Sequence, residues 1–167
     1  MITSPPSDDV RSMATVSVVP ASIVSALAPA VLPTLAAMPG QLLRAGIDVV
    51  RVSEIAASVE QFGDAFARRL FTDAEIEYAQ AGSDPAMVAA RFAVRFAARE
   101  AAIKAFGLTE AGVNWRELEV VRKPDGSCTL VPHGHACAVI GPLQQCVLSM
   151  SHEGDYATAI VLAMVAV

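Results

Sequence analysis

The most constraining feature of this chain is the stretch from Asp84 to Gly107, which carries helix signals at both ends. Asp84 is a good N-cap. Pro85 suits the first helical position, where an N–H would lack an intrahelical partner, and Gly107 readily takes the left-handed conformation that stops a helix. The spacing predicts one long helix around which the rest must pack. Along it Phe92, Phe96, Glu100 and Lys104 recur at intervals of four, so two charges continue a stripe begun by two aromatic rings. Arg91, Arg95 and Arg99 form a second row beside that stripe.

Upstream, residues 45–52 form a short β-branched run interrupted by Asp48, which reads as a strand with a polar residue at its exit. Ser53 is an N-cap candidate for an amphipathic helix with apolar positions Ile55, Val59, Phe62, Phe66 and Leu70. Thr72 and Glu75 have capping-box spacing and predict a short helix that ends near Gly82. Downstream the apolar period changes to two. Residues 117–123 and 127–131 flank Pro124, Asp125 and Gly126, a hairpin turn, and residues 136–140, 145–151 and 156–167 read as further strands. Helices first and strands afterwards predict an α+β fold, with helices packed on an antiparallel sheet and no internal repeats.

At 167 residues, 54% of them apolar and 17% charged, the chain has room for one self-supporting domain. A net charge of -5 argues against a broad nucleic-acid surface, which needs a clustered positive field. The three cysteines, Cys128, Cys137 and Cys146, are an odd count that favours free thiols and a reducing, cytoplasmic setting. No charge occurs from Ser12 to Leu43, and Arg11 precedes that run like the start of a signal peptide. Pro20, Pro29 and Pro33 oppose a membrane helix, because each interrupts the hydrogen-bond ladder that a span must complete internally. Residues 1–43 are therefore expected to be an Ala/Pro-rich extension and residues 44–167 the domain.

A buried carboxylate is costly unless paired, hydrogen-bonded or metal-bound, so Glu100 on the aromatic stripe is a site candidate. The alternative is a surface Glu100 and Lys104 pair at helical spacing. The arginine row suits phosphate oxygens, although solvated helix arginines look the same. Asp48 alone could be only a cap or turn residue.

Three ordered segments bear on these alternatives. Gly46, Ile47, Asp48, Val49 and Val50 form a Gly-x-Asp step with an apolar pair. Residues 91–107 read RFAVRFAAREAAIKAFG, and residues 149–157 read SMSHEGDYA. With Leu70, Phe71, Thr72 and Glu75 between the first two, the chain resembles the holo-acyl-carrier-protein synthase family of short 4'-phosphopantetheinyl transferases. The resemblance implies that family's fold and transfer of 4'-phosphopantetheine from coenzyme A to a serine of an apo acyl carrier protein, as in fatty acid biosynthesis. It implies magnesium held by Asp48 and Glu100, a catalytic Lys104, and coenzyme A contacts from Arg91, Arg95, Arg99, Ser151 and His152. It also implies a homotrimer with sites between subunits.

The departures are local. Arg99 replaces the lysine often found before the metal-binding glutamate, and Gly126, Ser127 and Cys128 replace a Gly-Lys-Pro after the hairpin turn. Arg51 and Glu54 reverse the usual acid-then-base order of the first helix, where an acidic carrier should dock; Arg68 and Arg69 are the available substitutes. Two rival readings remain: a zinc module built from Cys128, His133, His135 and Cys137, whose spacing matches no usual zinc motif, and an inactive scaffold of the same fold.

Overall fold

The computed structural model describes residues 40–166. Most of the expected extension, residues 1–39, lies outside the described residues. Three long strands, β1 (Gln41–Arg51), β4 (Leu143–Glu153) and β5 (Tyr156–Ala166), form an antiparallel sheet with β5 at its centre. β1 begins three residues before Arg44, with residues 41–43 paired to residues 164–166 of β5.

The long helix forms as its end signals predict. It is α4 (Pro85–Phe106), with the Asp84 side chain accepting from Ala86 N at 3.0 Å and Gly107 at φ 66°, ψ 40° closing it. Alanines 97, 98, 101, 102 and 105 are all buried, and such small side chains let the helix lie close against the sheet. The closest approach is at Gly46, where even a Cβ would lie 2.0 Å from the Ala101 carbonyl oxygen and 2.7 Å from Ala105 N. This contact sets Asp48, two residues along β1, beside the last turns of α4.

The helix expected after Ser53 is broken in two. α1 (Val52–Phe62) ends at Gly63, whose φ of 53° and ψ of -134° no helix can continue, and α2 (Asp64–Leu70) follows. Ser53 is not the cap. The amides at the start of α1 are met from the β4–β5 turn, with Val52 N donating to the Asp155 carbonyl at 2.9 Å and both Ser53 N and Ser53 Oγ donating to the Asp155 carboxylate at 2.8 Å. The Thr72 and Glu75 capping box is present and opens α3 (Asp73–Gln80).

A second, two-stranded sheet pairs β2 (Leu118–Arg122) with β3 (Cys128–Pro132) across the predicted turn, where Gly126 N donates to Lys123 O at 2.9 Å. A 3-10 turn, Trp115–Glu117, precedes it. Residues 136–140, expected as a strand, are helical instead, within α5 (Gly134–Ile140). The Glu117 carboxylate accepts His135 N at 3.0 Å, while Ala136 is fully buried in the core. A cap supplied by a carboxylate from another element leaves no signal in the local sequence.

Candidate functional site

Strand alternation puts Asp48 on the helix-facing side of β1, and α4 presents Lys104 to it. Lys104 Nζ lies 2.7 Å from Asp48 Oδ1 and 3.3 Å from the Ile47 carbonyl oxygen. The Lys104 side chain is 51% exposed and that of Asp48 14%, so the pair sits at a cleft mouth and not in the core. The hydrogen bond to Asp48 raises the Lys104 pKa above its ordinary value; partial desolvation opposes this, and the charges of Asp48 and Glu100 add to it. Lys104 is therefore firmly an ammonium ion at neutral pH.

Glu100 lies one turn before Lys104 and lines the same cleft of about 250 Å3, together with Thr109, Val113 and Trp115. It forms no hydrogen bond or salt bridge among the described residues. The surface Glu100 and Lys104 pair is thus not what forms, because Lys104 turns to Asp48 on the strand. A magnesium ion is commonly held by one or two carboxylates, with water and substrate phosphates completing its octahedron. Asp48 and Glu100 fit that donor set: hard oxygen ligands from two rigid elements, one of them without a competing cation.

The arginine row behaves differently from the sequence expectation. Arg91 is partly buried and donates to the Tyr78 carbonyl at 3.0 Å, and its guanidinium lies 4.9 Å from the Tyr78 ring centroid. Arg95 is buried, 4.4 Å from the same ring, and burial lowers its pKa. Arg99 has no exposure and is ion-paired with Glu75. The aromatic stripe also divides: Phe92 is buried against Phe71, while Phe96 stacks on Trp115 at 5.2 Å beside the cleft.

Ser151 and His152 lie on β4, opposite Thr158 and Ala157, whereas Asp48 on β1 is opposite Ala159. His152 is therefore two strand spacings and two residues away from Asp48, about 12 Å between Cα atoms by ordinary sheet dimensions. Within one chain Lys104 links the two candidate carboxylates, bonded to Asp48 and lining the cleft with Glu100, and Ser151 and His152 lie apart from Asp48. The zinc alternative fails on geometry. His133 bonds Glu119, His135 Nε2 bonds the Ala111 carbonyl, Cys137 Sγ contacts the Pro132 carbonyl, and no group of three metal-ligating side chains occurs among the described residues.

Two residues were given no site role by the sequence reading. Trp115, the chain's one tryptophan, walls the cleft, and Glu75, read as a helix cap and as part of the family step after Leu70, is buried as the partner of Arg99. The capping-box glutamate carried a signal for its position but none for its burial.

The model of the 4'-phosphopantetheinyl transferase superfamily (ACPS) matches residues 44–161. The holo-[acyl-carrier-protein] synthase of Koribacter versatilis is 46% identical over 124 residues, covering 72% of this chain and 97% of the relative. The chain belongs to the holo-[acyl-carrier-protein] synthase family. The synthase of Syntrophotalea carbinolica is 40% identical, covering 70% of this chain and 91% of that one. Among solved structures, the ACPS–CoA complex from Chronobacterium ammoniagenes superposes with a TM-score of 0.63 at 30% identity, over 73% of this chain and 96% of that one. Family membership makes the chain a 4'-phosphopantetheinyl transferase, and the superposed structures carry the α+β fold expected from the sequence. Every site residue named above lies inside the family match.

Proposed function

We propose that the chain transfers 4'-phosphopantetheine from coenzyme A to a serine of an apo acyl carrier protein, releasing adenosine 3',5'-bisphosphate, with magnesium bound by Asp48 and Glu100. The observation that carries this reading is the Lys104 ammonium, which pairs with Asp48 and lines one cleft with Glu100, inside the family match. Bound there, magnesium would neutralise charge on the diphosphate oxygens. Lys104, held protonated beside Asp48, supplies a point charge to the diphosphate and is a poor base in this arrangement. Arg91, the partly exposed member of the arginine row, is the one placed to reach a coenzyme A phosphate.

The reading extends to a homotrimer. The outer face of the sheet is apolar and uncovered among the described residues, with Ile47 61%, Val49 58% and Val147 51% exposed, which suits a second copy of the chain. Sites between subunits would let Ser151 and His152 serve a neighbour's Asp48 and Glu100. The acidic carrier docks on α2, whose last turn carries Arg68 and Arg69 and where Arg69 lines an apolar hollow of about 450 Å3 with Phe62, Phe66 and Trp115. Trp115 joins that hollow to the catalytic cleft. The setting is the cytoplasm, where three free thiols persist and carriers for fatty acid biosynthesis are made. Among the described residues no helix is long and apolar enough to cross a membrane.

The test is incubation with coenzyme A, magnesium and a panel of fatty-acid, polyketide and peptide-synthase apo-carriers, read as gain of a phosphopantetheine mass. Asp48→Ala and Glu100→Ala, with folding retained, should each lower the rate by about 10²–10³-fold. No mass gain on any carrier would sink the transferase reading; full activity in both variants would sink the metal assignment.

A further inference from the structure

Arg99, the residue immediately before Glu100, has no exposure through which to meet coenzyme A, yet its guanidinium bonds to three acceptors in the core. Nη2 pairs with Glu75, Nε donates to the Trp115 carbonyl at 3.0 Å, Nη1 donates to the Arg95 carbonyl at 3.2 Å, and the group lies 4.8 Å from the Phe71 ring centroid. Glu75 is anchored in turn. Its Oε1 accepts Val120 N at 3.0 Å and its Oε2 accepts Thr72 N at 3.0 Å.

One buried pair thereby ties together α4, α3, the turn at Trp115 and the strand β2. Three of those four segments carry walls of the cleft, Glu100 on α4, Trp115 on the turn and Leu118 on β2. A buried ion pair is a poor device for net stability, since desolvation offsets the attraction and apolar replacements are often as stable. Its use is directional. The planar fork of arginine holds two acceptors outside α4, the Glu75 carboxylate and the Trp115 carbonyl, at fixed angles, and so resists rotation of α4 about its axis. At the outer radius of a helix, roughly 5–6 Å, a turn of about 10° moves a carboxylate by about 1 Å, and misplacement of that size costs on the order of 10² in rate.

We propose that Glu75 and Arg99 are a positioning pair, which sets the rotation of α4 and the seat of Trp115 and so holds Glu100 and Lys104 in register with the transferring phosphoryl group. The proposal rests on the transferase reading for its chemistry. It also separates Arg99 from Arg91: one orients the site from within the core, the other is partly exposed and held by Tyr78.

The experiment compares Arg99→Lys with the double variant Arg99→Met/Glu75→Leu, which removes both charges and keeps similar volume. Transfer kinetics, binding of adenosine 3',5'-bisphosphate by calorimetry and Trp115 fluorescence are measured on each. The double variant should fold cooperatively, lose about 30- to 100-fold in kcat, need about tenfold more magnesium for half-activation, and bind the bisphosphate within twofold of the wild type. Its Trp115 emission should shift and quench more readily. Arg99→Lys should recover part of kcat, because an ammonium pairs with Glu75 but does not hold the Trp115 carbonyl as well.

Wild-type kcat in the double variant, or a tenfold loss of bisphosphate affinity, overturns the proposal, the latter by making Arg99 a phosphate ligand. Should the double variant not fold, Arg99→Lys decides alone: a folded protein with lowered kcat and altered Trp115 emission supports the pair, and one with wild-type values of both refutes it. If the wild type modifies no carrier, the transferase reading fails, and the Trp115 measurements still decide whether the pair seats the cleft wall.

Discussion

Gly46→Ala is the substitution whose consequence follows most directly from the coordinates. The added Cβ would lie 2.0 Å from the Ala101 carbonyl oxygen, and real Cβ atoms essentially never come within 3.0 Å of such a neighbour, so β1 and α4 must part by about 1 Å. Both opposing atoms, Ala101 O and Ala105 N, belong to the backbone, and no rotamer change relieves the clash. Overpacking of this kind costs about 1–3 kcal/mol. Each kcal/mol lowers Tm by about 2–4 °C in a chain of this size. The functional effect should be larger than the stability effect. Asp48 moves with β1 while Glu100 and Lys104 stay with α4, so the separation opens between the two carboxylates proposed to hold magnesium, where a shift of about 1 Å is worth about 10² in rate. Carrier modification followed by mass spectrometry and thermal melts followed by circular dichroism should show a folded protein with kcat reduced about a hundredfold and a raised magnesium requirement. Gly46→Ala/Ala101→Gly should not rescue it, because the obstacle is a carbonyl. Activity within threefold of the wild type, with Tm unchanged to 1 °C, would refute the close-approach argument.

Two further outcomes follow from other parts of the structure. Hydrogen bonds from Ser53 Oγ and Ser53 N hold the Asp155 carboxyl below its ordinary pKa, so its support of α1 is present above about pH 4 and is lost as pH falls through the depressed folded value; the Tm gap between wild type and Asp155→Asn should be full at pH 7 and shrink towards pH 3, and a gap independent of pH would contradict this. Placing a charge on the outer sheet face with Ile47→Glu or Val147→Glu should convert the assembly to monomers by sedimentation, with loss of transfer if sites lie between subunits; an unchanged sedimentation coefficient in both would show that this face is not the interface.

The parts of the fold legible in the sequence were those governed by local chemistry. The caps of α4, the Thr72 and Glu75 box and the turn at Gly126 are all short-range hydrogen bonds or φ preferences, and each formed where its residues stand. The helical segment at 136–140 and the start of α1 were misread because their amides are satisfied from afar, by Glu117 and by Asp155 across a chain separation of 102 residues. The same distinction governs the site. Helical spacing offered Glu100 as a candidate, the order of the motifs favoured it together with Asp48 and Lys104, and all three positions lie within the family match.

What spacing could not decide was which face of α4 is buried. Phe92, Phe96, Glu100 and Lys104 looked like the inward stripe and the arginines like the outward row, yet Arg95 and Arg99 are the buried ones while Lys104 stands half exposed at the cleft. A guanidinium enters a core only where acceptors and rings are waiting for it. Glu75, the Trp115 carbonyl and the Phe71 and Tyr78 rings come from three other segments, so their meeting at Arg95 and Arg99 exists only in the folded chain. Helical periodicity by itself thus determined the two rows of α4, and tertiary packing determined which members of each are buried, Phe92 in one and Arg95 and Arg99 in the other.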